Sequence, residues 1–362
     1  MIGKKAVFRV ERRVLRDSET GREIWQVSPD GATCIASYMY INSFTPDERC
    51  LFYISDRTGT MQLYLLEIES GETRRLTDGT SVQSHCANLH PNGRELFYRD
   101  GAVYRAVDIV SAEERVVLDT TRYEWLRKPG EQIMFSKSGL FFSLSFEYAE
   151  GKRAVARAAC DGSGVEELYR YAESTQHVMF CPGDEELLTF SVWPDYQNTR
   201  DLPDAKRART WLLDARTRRA TPFVVVPPGF RATHEYWGPT GERIYFHKKS
   251  VPHWVPTWIC SMDRRTGQVR HVFGSDSIKL GHSFVNSDET KLVSDSQEPG
   301  RNELLLIDTA TGRAEVLCWP NSSIASQHSH VHPSFSPSGR YVLYTSDCSG
   351  KPQVYLVPLS RT

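Results

Sequence analysis

A short turn followed by an apolar and aromatic run recurs seven times along this chain, roughly every 45–57 residues. One copy is Ser336-Pro337-Ser338-Gly339 before YVLYTSD, and others precede CLFYISD, ELFYRD and RIYFHKK. Further apolar runs separated by polar turns lie between the copies, as in QLYLLEI-ESGE-TRRLT. Short runs that are rich in Tyr, Phe, Leu, Val and Ile and are bounded by Gly, Asp, Asn and Pro predict β-strands.

The period of this pattern predicts an all-β fold, a seven-bladed β-propeller with four-stranded blades. About 45 residues is the length of one propeller blade, and a sandwich or a single barrel would not explain seven repeats. No stretch shows a helical period over ten or more residues. We expect a single propeller domain across residues 1–362, closed by an N-terminal strand from residues 5–14 or 23–28 beside a C-terminal strand at residues 353–358.

The composition is that of an ordinary soluble protein and excludes few classes of function. Hydrophobic residues make up 40% of the chain, charged residues 25%, and the formal net charge is −1. This balance favours neither nucleic acid nor a membrane surface as a partner, and we expect a monomer or a homodimer. The eight cysteines include no C-x-x-C pair and the N-terminus has no long apolar run, so we expect a reducing, cytoplasmic location.

Histidines occupy one equivalent position in four successive repeats. His177, His234, His282 and His332 each lie five residues before the central position of a turn. The first strand of a propeller blade lines the central channel, so equivalent positions on neighbouring blades converge. A lone strand histidine is more often a packing residue, but four of the 11 histidines at this position indicate a site. His330 lies two residues before His332 and would face the same side of an extended strand.

Three histidines and one glutamine form a candidate metal-binding set, comprising His282, Gln327, His330 and His332. Three imidazoles and one amide oxygen are all neutral, and the absence of a thiolate disfavours a structural zinc site. Such a set suits Mn²⁺, Fe²⁺, Co²⁺, Ni²⁺ or Zn²⁺ acting as a Lewis acid with open positions. A base is then needed to take a proton that the metal acidifies, and His234, one blade away, is the natural candidate.

The longest interval between turns, 57 residues from Pro182 to Pro239, adds a basic loop. The additional residues 193–209 fall between the second and third strands of the fourth blade and should overhang the histidine face. Among them we expect Arg200 and Arg209 to contact an anionic substrate, because guanidinium groups pair well with carboxylates and phosphates. A solvated basic loop is the alternative interpretation of Arg200.

Five segments give the chain a resemblance to a known family. They are Thr233-His234-Glu235-Tyr236, Gly281-His282-Ser283, Asp204-Ala205-x-x-Ala208-Arg209-x-Trp211, Tyr344-Thr345-Ser346-Asp347-x-x-Gly350-Lys351-Pro352 and Gln327-x-x-His330-x-His332-Pro333-Ser334-Phe335. With these motifs the chain resembles the oligogalacturonate lyases, seven-bladed propeller polysaccharide lyases, over most of its length. The last motif is specific, whereas the repeated turns occur in many propellers.

The resemblance implies an enzyme that cleaves short oligogalacturonides by β-elimination and leaves a 4,5-unsaturated uronate. It implies that His234 takes the proton at C5, that Arg209 assists near the uronate, and that His177 contacts the substrate. It also implies a Mn²⁺ cofactor, with four ligands that match the set above: His282, Gln327, His330 and His332.

Three alternatives stay open at this stage. A related uronide that contains rhamnose or glucuronate could be the substrate. A non-catalytic propeller of the periplasmic translocation-protein type is a second alternative, against which the histidine set argues. A metal-dependent uronide hydrolase or epimerase would use the same metal and histidines, and it differs from a lyase in whether and how the bond at O4 breaks.

Overall fold

The computed structural model describes residues 3–130, 132–172, 175–194 and 202–359 of the chain. In chain order, the strands up to residue 170 are β1 (Val7–Arg9), β2 (Arg13–Arg16), β3 (Glu23–Gln26), β4 (Cys34–Ile35), β5 (Cys50–Ser55), β6 (Gln62–Glu67), β7 (Glu72–Arg75), β8 (Val82–Leu89), β9 (Glu95–Asp100), β10 (Val103–Asp108), β11 (Glu114–Asp119), β12 (Met134–Phe135), β13 (Phe141–Ala149), β14 (Lys152–Ala159) and β15 (Val165–Arg170).

The later strands are β16 (Thr175–Cys181), β17 (Asp184–Val192), β18 (Ala208–Asp214), β19 (Arg219–Val225), β20 (Phe230–Trp237), β21 (Arg243–Ser250), β22 (Thr257–Asp263), β23 (Val269–Ser275), β24 (Leu280–Val285), β25 (Lys291–Ser296), β26 (Leu304–Asp308), β27 (Ala314–Cys318), β28 (Ser334–Phe335), β29 (Tyr341–Ser346) and β30 (Gln353–Pro358). A short helix, α1 (Asp204–Arg207), precedes β18, and 3₁₀ turns span Thr120–Arg122 and Gln327–Ser329. Within the described ranges no helix has the length and apolar character needed to cross a membrane.

The strands form seven antiparallel sheets, which confirms the predicted seven-bladed propeller. Blades 2 to 6 are four-stranded and consist of β8–β11, β12–β15, β16–β19, β20–β23 and β24–β27. Blade 1 (β4–β7) carries β1 on its outer edge, and blade 7 (β28–β30) carries β3 and β2. The predicted turns connect the first two strands of each blade, and Gly339 in one of them has a φ of +76°, which glycine adopts without steric cost.

The ring is closed by strands from both ends of the chain. Trp25 and Gln26 of β3 pair with Leu356 and Tyr355 of β30. Of the two predicted closing segments, residues 23–28 therefore supply the strand beside the C-terminal one. The earlier segment adds outer strands instead, since β1 pairs with β7 and β2 with β3. Closure joins the first and last blades, so the fold does not leave an open gap between them.

The hydrophobic core lies between neighbouring blades. The second strands are buried on both faces, and β5 has buried side chains at five consecutive positions. Large rings from adjacent blades meet there, as Phe97 of blade 2 and Phe142 of blade 3 do with centroids 6.0 Å apart. This packing holds the inner strands around the channel and fixes the relative positions of residues that are far apart in sequence.

Candidate active site

The inner strands become irregular at the mouth of the channel, where the histidines lie. The pairing of the first strand with the second shifts register within β8, β16, β20 and β24. His177, His234 and His332 have φ values of +52°, +56° and +43°. A bulge turns a side chain out of the regular strand alternation, and a left-handed backbone at a residue other than glycine costs about 1–3 kcal/mol. Repetition of this costly geometry on three blades points to a function at the rim.

Three of the predicted metal ligands converge. One donor atom from each of His282, His330 and His332 lies within 4.8 Å of the other two. The ring centroids of His282 and His332 are 4.3 Å apart. Nδ1 of His330 and Nε2 of His332 are buried and have no hydrogen-bond partner in the described part of the chain. Buried nitrogens without partners are costly, so the cluster fits a cation that accepts imidazole ligands.

A buried carboxylate orients His282. Nδ1 of His282 lies 3.0 Å from Oδ2 of Asp295, and the backbone N–H of His282 donates to Oδ1 of the same carboxylate. Gly281 permits this close approach, because a Cβ at that position would lie 2.5 Å from Oδ1. With its proton on Nδ1, His282 leaves Nε2 free for a metal, which is the usual arrangement of a ligating histidine supported by a carboxylate.

The segment before β28 differs from the prediction. An extended strand was expected to place His330 and His332 on one side, but Gln327–Ser329 forms a 3₁₀ turn and β28 begins only at Ser334. The expectation of a regular strand was wrong because the backbone N–H of Ser329 donates to the carbonyl oxygen of Ser326 and the hydroxyl of Ser329 accepts the backbone N–H of Ser326, which closes a turn. His330 and His332 still reach the cluster, and Gln327 is exposed and lines the cavity beside it.

His234 lies directly against the three-histidine cluster. Its ring centroid is 4.4 Å from that of His282. Nδ1 of His234 lies 3.4 Å from Oγ1 of Thr233. In the tautomer whose Nδ1–H donates to this hydroxyl oxygen, Nε2 is the nitrogen that can take a proton. Burial lowers the pKa of His234 well below its ordinary value, and the neighbouring His282 and Lys249 lower it further. His234 is therefore neutral near pH 7, as a general base must be.

Arg209 is held rigidly on β18 at the base of the long blade 4 loop. Its Nε donates to Oε2 of Glu235 at 3.2 Å, and its Nη1 donates to the carbonyl oxygen of Val192 at 2.7 Å. The guanidinium carbon lies 4.1 Å from the centroid of the Trp193 ring. The side chain is only 1% exposed, yet Arg209 lines the cavity. A guanidinium fixed in this way can present its remaining donors to a planar anion without a large loss of side-chain entropy.

Glu235 links Arg209 to His177. Nδ1 of His177 lies 3.2 Å from Oε1 of Glu235, and the hydroxyl of Ser191 donates to the same oxygen. Burial alone would raise the pKa of the Glu235 carboxyl, but the charge of Arg209 and the hydrogen bonds from His177 and Ser191 outweigh burial and lower that pKa. Glu235 is thus an ionised carboxylate that fixes two cavity-lining side chains at once.

Four of the eight sequence-predicted residues line one cavity of about 590 Å³. His177, His234, Arg209 and Gln327 line its wall, next to the cluster of His282, His330 and His332. The insertion lies between β17 and β18 of blade 4, as predicted. Arg200, which we expected to bind substrate, lies outside the described residues.

The sequence analysis did not identify several residues of the site. Glu235 and Asp295 are buried carboxylates that follow or face the histidines. Tyr38 of blade 1 places its ring 4.5 Å from that of His332. Lys249 is fully buried above the Trp254 ring, and burial, together with Arg231, lowers its pKa to about 7. The available signal was a run of polar and charged residues after the apolar part of a strand, as in RIYFHKKS of β21 and KLVSDS of β25.

Comparisons with known proteins agree with the fold and the motifs. A family model described as oligogalacturonate lyase matches residues 2–133. The oligogalacturonate lyase of Dickeya dadantii is 24% identical over 98% of this chain and 97% of its own. The oligogalacturonide lyase of Pectobacterium atrosepticum is 23% identical over 94% of each chain.

A solved structure of an oligogalacturonate lyase in complex with manganese superposes with a TM-score of 0.88 at 22% identity, covering 99% of this chain and 98% of that one. The fold of the whole chain is therefore that of the solved lyase, and the sequence similarity to curated relatives extends over nearly its full length. The resemblance to the oligogalacturonate lyase family that the histidine motifs indicated is confirmed.

Proposed function

We propose that this protein is a metal-dependent lyase that cleaves short oligogalacturonides by β-elimination and leaves a 4,5-unsaturated uronate. The observation that carries the proposal is the meeting of a three-histidine cluster, a neutral histidine and a fixed arginine at one cavity. Each corresponds to a requirement of the reaction: polarisation of a carboxylate, removal of the proton beside it, and stabilisation of the charge that develops.

The metal would be Mn²⁺, held by His282, His330, His332 and Gln327. When bound on neutral ligands, a divalent ion would draw charge from the substrate carboxylate and so acidify the proton on the neighbouring carbon. Support comes from the orphaned nitrogens of the cluster, from the orienting contact of Asp295, and from the manganese in the solved relative.

His234 and Arg209 would carry out the remaining chemistry. Nε2 of His234 takes the proton from C5, the electron pair of that C–H bond forms the C4–C5 double bond, and the C4–O4 bond breaks as O4 departs and gains a proton. Toward the described residues, Arg209 uses no more than three of its five N–H donors, on Glu235 and Val192. The others are free to hold the uronate carboxylate as negative charge builds up on it.

The test is to incubate the purified protein with di- or trigalacturonate in the presence of either Mn²⁺ or a chelator. The masses of the products are then measured by mass spectrometry. A lyase gives products whose masses sum to that of the substrate, and only when the metal is present. Addition of one water would instead identify a hydrolase, and an unchanged mass with inverted stereochemistry at C5 an epimerase. Binding without any reaction on a panel of oligouronides would identify a non-catalytic propeller.

We also propose that the protein acts in a reducing compartment such as the cytoplasm. None of the eight cysteines belongs to a disulfide, and seven of them are at least partly buried within the blades. Buried cysteines outside disulfides act as small apolar residues in the core and do not require oxidation to stabilise the fold. Thermal unfolding that is unchanged by a reducing agent would agree with this location, and a loss of stability on reduction would contradict it.

A further inference from the structure

The cavity extends beyond the proposed catalytic groups and is cationic at its other end. Arg209, His234 and Gln327 line the side formed by blades 4, 5 and 7, whereas Arg99 and Arg153 line the side formed by blades 2 and 3. Among the described residues on the wall there is no aspartate or glutamate. The proposed elimination acts on a single carboxylate, which Arg209 serves, so it does not account for Arg99 and Arg153.

Arg99 is a buried cation with unused donors. It is only 9% exposed, its Nη1 donates to the carbonyl oxygen of Gly101 at 2.7 Å, and its Nε has no hydrogen-bond partner among the residues that the structure describes. Within the described ranges no ion pair joins Arg99 to a carboxylate. A buried guanidinium is normally paired, and its planar fork matches a carboxylate. Its place on the cavity wall therefore suits an anion that arrives with the substrate.

Arg153 is held in place on the same wall. Its Nη2 donates to the carbonyl oxygen of Lys128 at 3.0 Å and to Ser145 Oγ at 3.3 Å. Gly130 allows the loop to approach so closely, because a Cβ there would lie 2.4 Å from Ser145 Oγ. These contacts fix the guanidinium before any ligand binds, which reduces the entropy lost on binding.

Lys128 lines the same end of the cavity but is already neutralised. Its side chain is 73% exposed, and its Nζ lies 3.1 Å from Glu147. The wall also carries the amide side chains of Gln132 and Gln176, which suit sugar hydroxyls. A cavity of about 590 Å³ lies within the range of about 300–1,000 Å³ that is common for small-molecule sites.

We propose that Arg99 and Arg153 form a second carboxylate subsite, which binds the uronate attached to O4 of the unit that loses its C5 proton. The inference rests on the proposed β-elimination and adds a specificity to it. In a disaccharide, the second carboxylate belongs to the departing sugar, so the enzyme selects substrates in which both neighbouring units are acidic. Loss of this contact affects the recognition of the departing sugar and leaves the chemistry at C5 unchanged.

The experiment compares digalacturonate with galactosyl-1,4-galacturonate, whose departing sugar is neutral, using the Mn²⁺-loaded protein. The variants are Arg99→Gln and Arg153→Met, with Arg94→Gln as the control, since Arg94 is an exposed arginine of blade 2 that pairs with Asp108. We expect the wild type to prefer digalacturonate in kcat/KM. Each cavity variant should lower kcat/KM for digalacturonate at least tenfold, mostly through KM, and hardly change it for the neutral analogue. The control should behave as the wild type.

An equal loss on both substrates would overturn the proposal, because a structural role would not distinguish them, and so would a wild type without preference. Thermal unfolding and Mn²⁺ affinity of each variant show whether the fold is intact, and Arg99→Lys, which keeps the charge, should recover part of the preference. Failure of the proposed function would look different, since the wild type would leave digalacturonate intact. Calorimetric binding of digalacturonate would then decide the subsite: at least tenfold weaker binding by Arg99→Gln supports it, and equal binding refutes it.

Discussion

Replacing Asp295 with asparagine tests whether the carboxylate prepares His282 for a metal. The two carboxylate oxygens of Asp295 have different partners on His282. Oδ1 accepts the backbone N–H of His282, and Oδ2 lies 3.0 Å from Nδ1 of the ring. The buried backbone N–H needs an acceptor, so the oxygen of asparagine will take the place of Oδ1 and its NH₂ will face Nδ1. Because two donors cannot face each other, the proton of His282 must move to Nε2, the nitrogen left for the metal.

The expected magnitude follows from this change of tautomer. Removal of a carboxylate that supports a ligating histidine typically weakens metal affinity about 10–100-fold, or about 1.4–2.8 kcal/mol. We expect the upper half of this range, since Asp295 is 1% exposed and water cannot take its place. The fold should survive, because burial raises the pKa of Asp295 to about 7 in the metal-free chain and a neutral isostere there costs little.

The assay measures Mn²⁺ affinity by calorimetric titration of the metal-free protein at neutral pH. Asp308→Asn is the matched control, because Asp308 belongs to the neighbouring strand of the same blade and pairs with Lys291 at 2.8 Å on the surface. Wild-type affinity in Asp295→Asn would refute the argument about the tautomer. An equal loss in the control would show that the substitution acts through the stability of blade 6 instead.

Four further predictions concern individual groups of the site. His332→Ala should lose bound metal while His234→Ala keeps the metal and loses turnover; metal content by mass spectrometry separates the two, and equal loss would contradict the division of roles. Arg209→Lys should lower kcat/KM at least tenfold, because a single ammonium cannot replace a planar fork, and near-normal kinetics would remove Arg209 from the reaction. Glu235→Gln should lower the free energy of unfolding by about 3–5 kcal/mol in urea titrations, because it leaves the Arg209 cation buried and unpaired; a change below about 1 kcal/mol would show that water reaches the pair. The acid limb of the pH profile of kcat/KM should have its midpoint below pH 6.5, because the lowered pKa of His234 keeps this base neutral at pH values where an ordinary histidine is protonated. A midpoint above pH 6.5 would exclude His234 as the base.

The fold could be predicted from sequence because its signals are local and repeated. Each turn such as Ser336-Pro337-Ser338-Gly339 precedes an apolar strand, and seven copies leave few all-β arrangements. The same repetition aligned His234, His282 and His332 without any knowledge of their contacts. Equivalent positions of a closed ring converge whatever their separation along the chain, so the candidate site followed from the register of the repeat.

The remainder of the site depends on departures from that register. In a regular strand His234 and Glu235 would point to opposite faces, but the shift between Thr233 and Tyr236 and the left-handed φ of His234 bring both to the site. No local residue pattern predicts such a bulge at a histidine. The partners of Glu235 also come from another blade, since Arg209 belongs to blade 4. The carboxylates therefore could not be placed before the fold was known.

The two buried carboxylates determine where positive charge remains in the cavity. Glu235 is matched with Arg209, Asp295 supports His282, and neither belongs to the described part of the cavity wall. That wall presents Arg99 and Arg153 at one end, while a divalent ion on neutral ligands would keep its full charge at the other. Positive charge at two separated places favours a ligand with two separated carboxylates over one carboxylate or a neutral sugar. The preference for acidic oligosaccharides would then arise from the presence of positive charge on both sides of the cavity more than from the chemistry at either one.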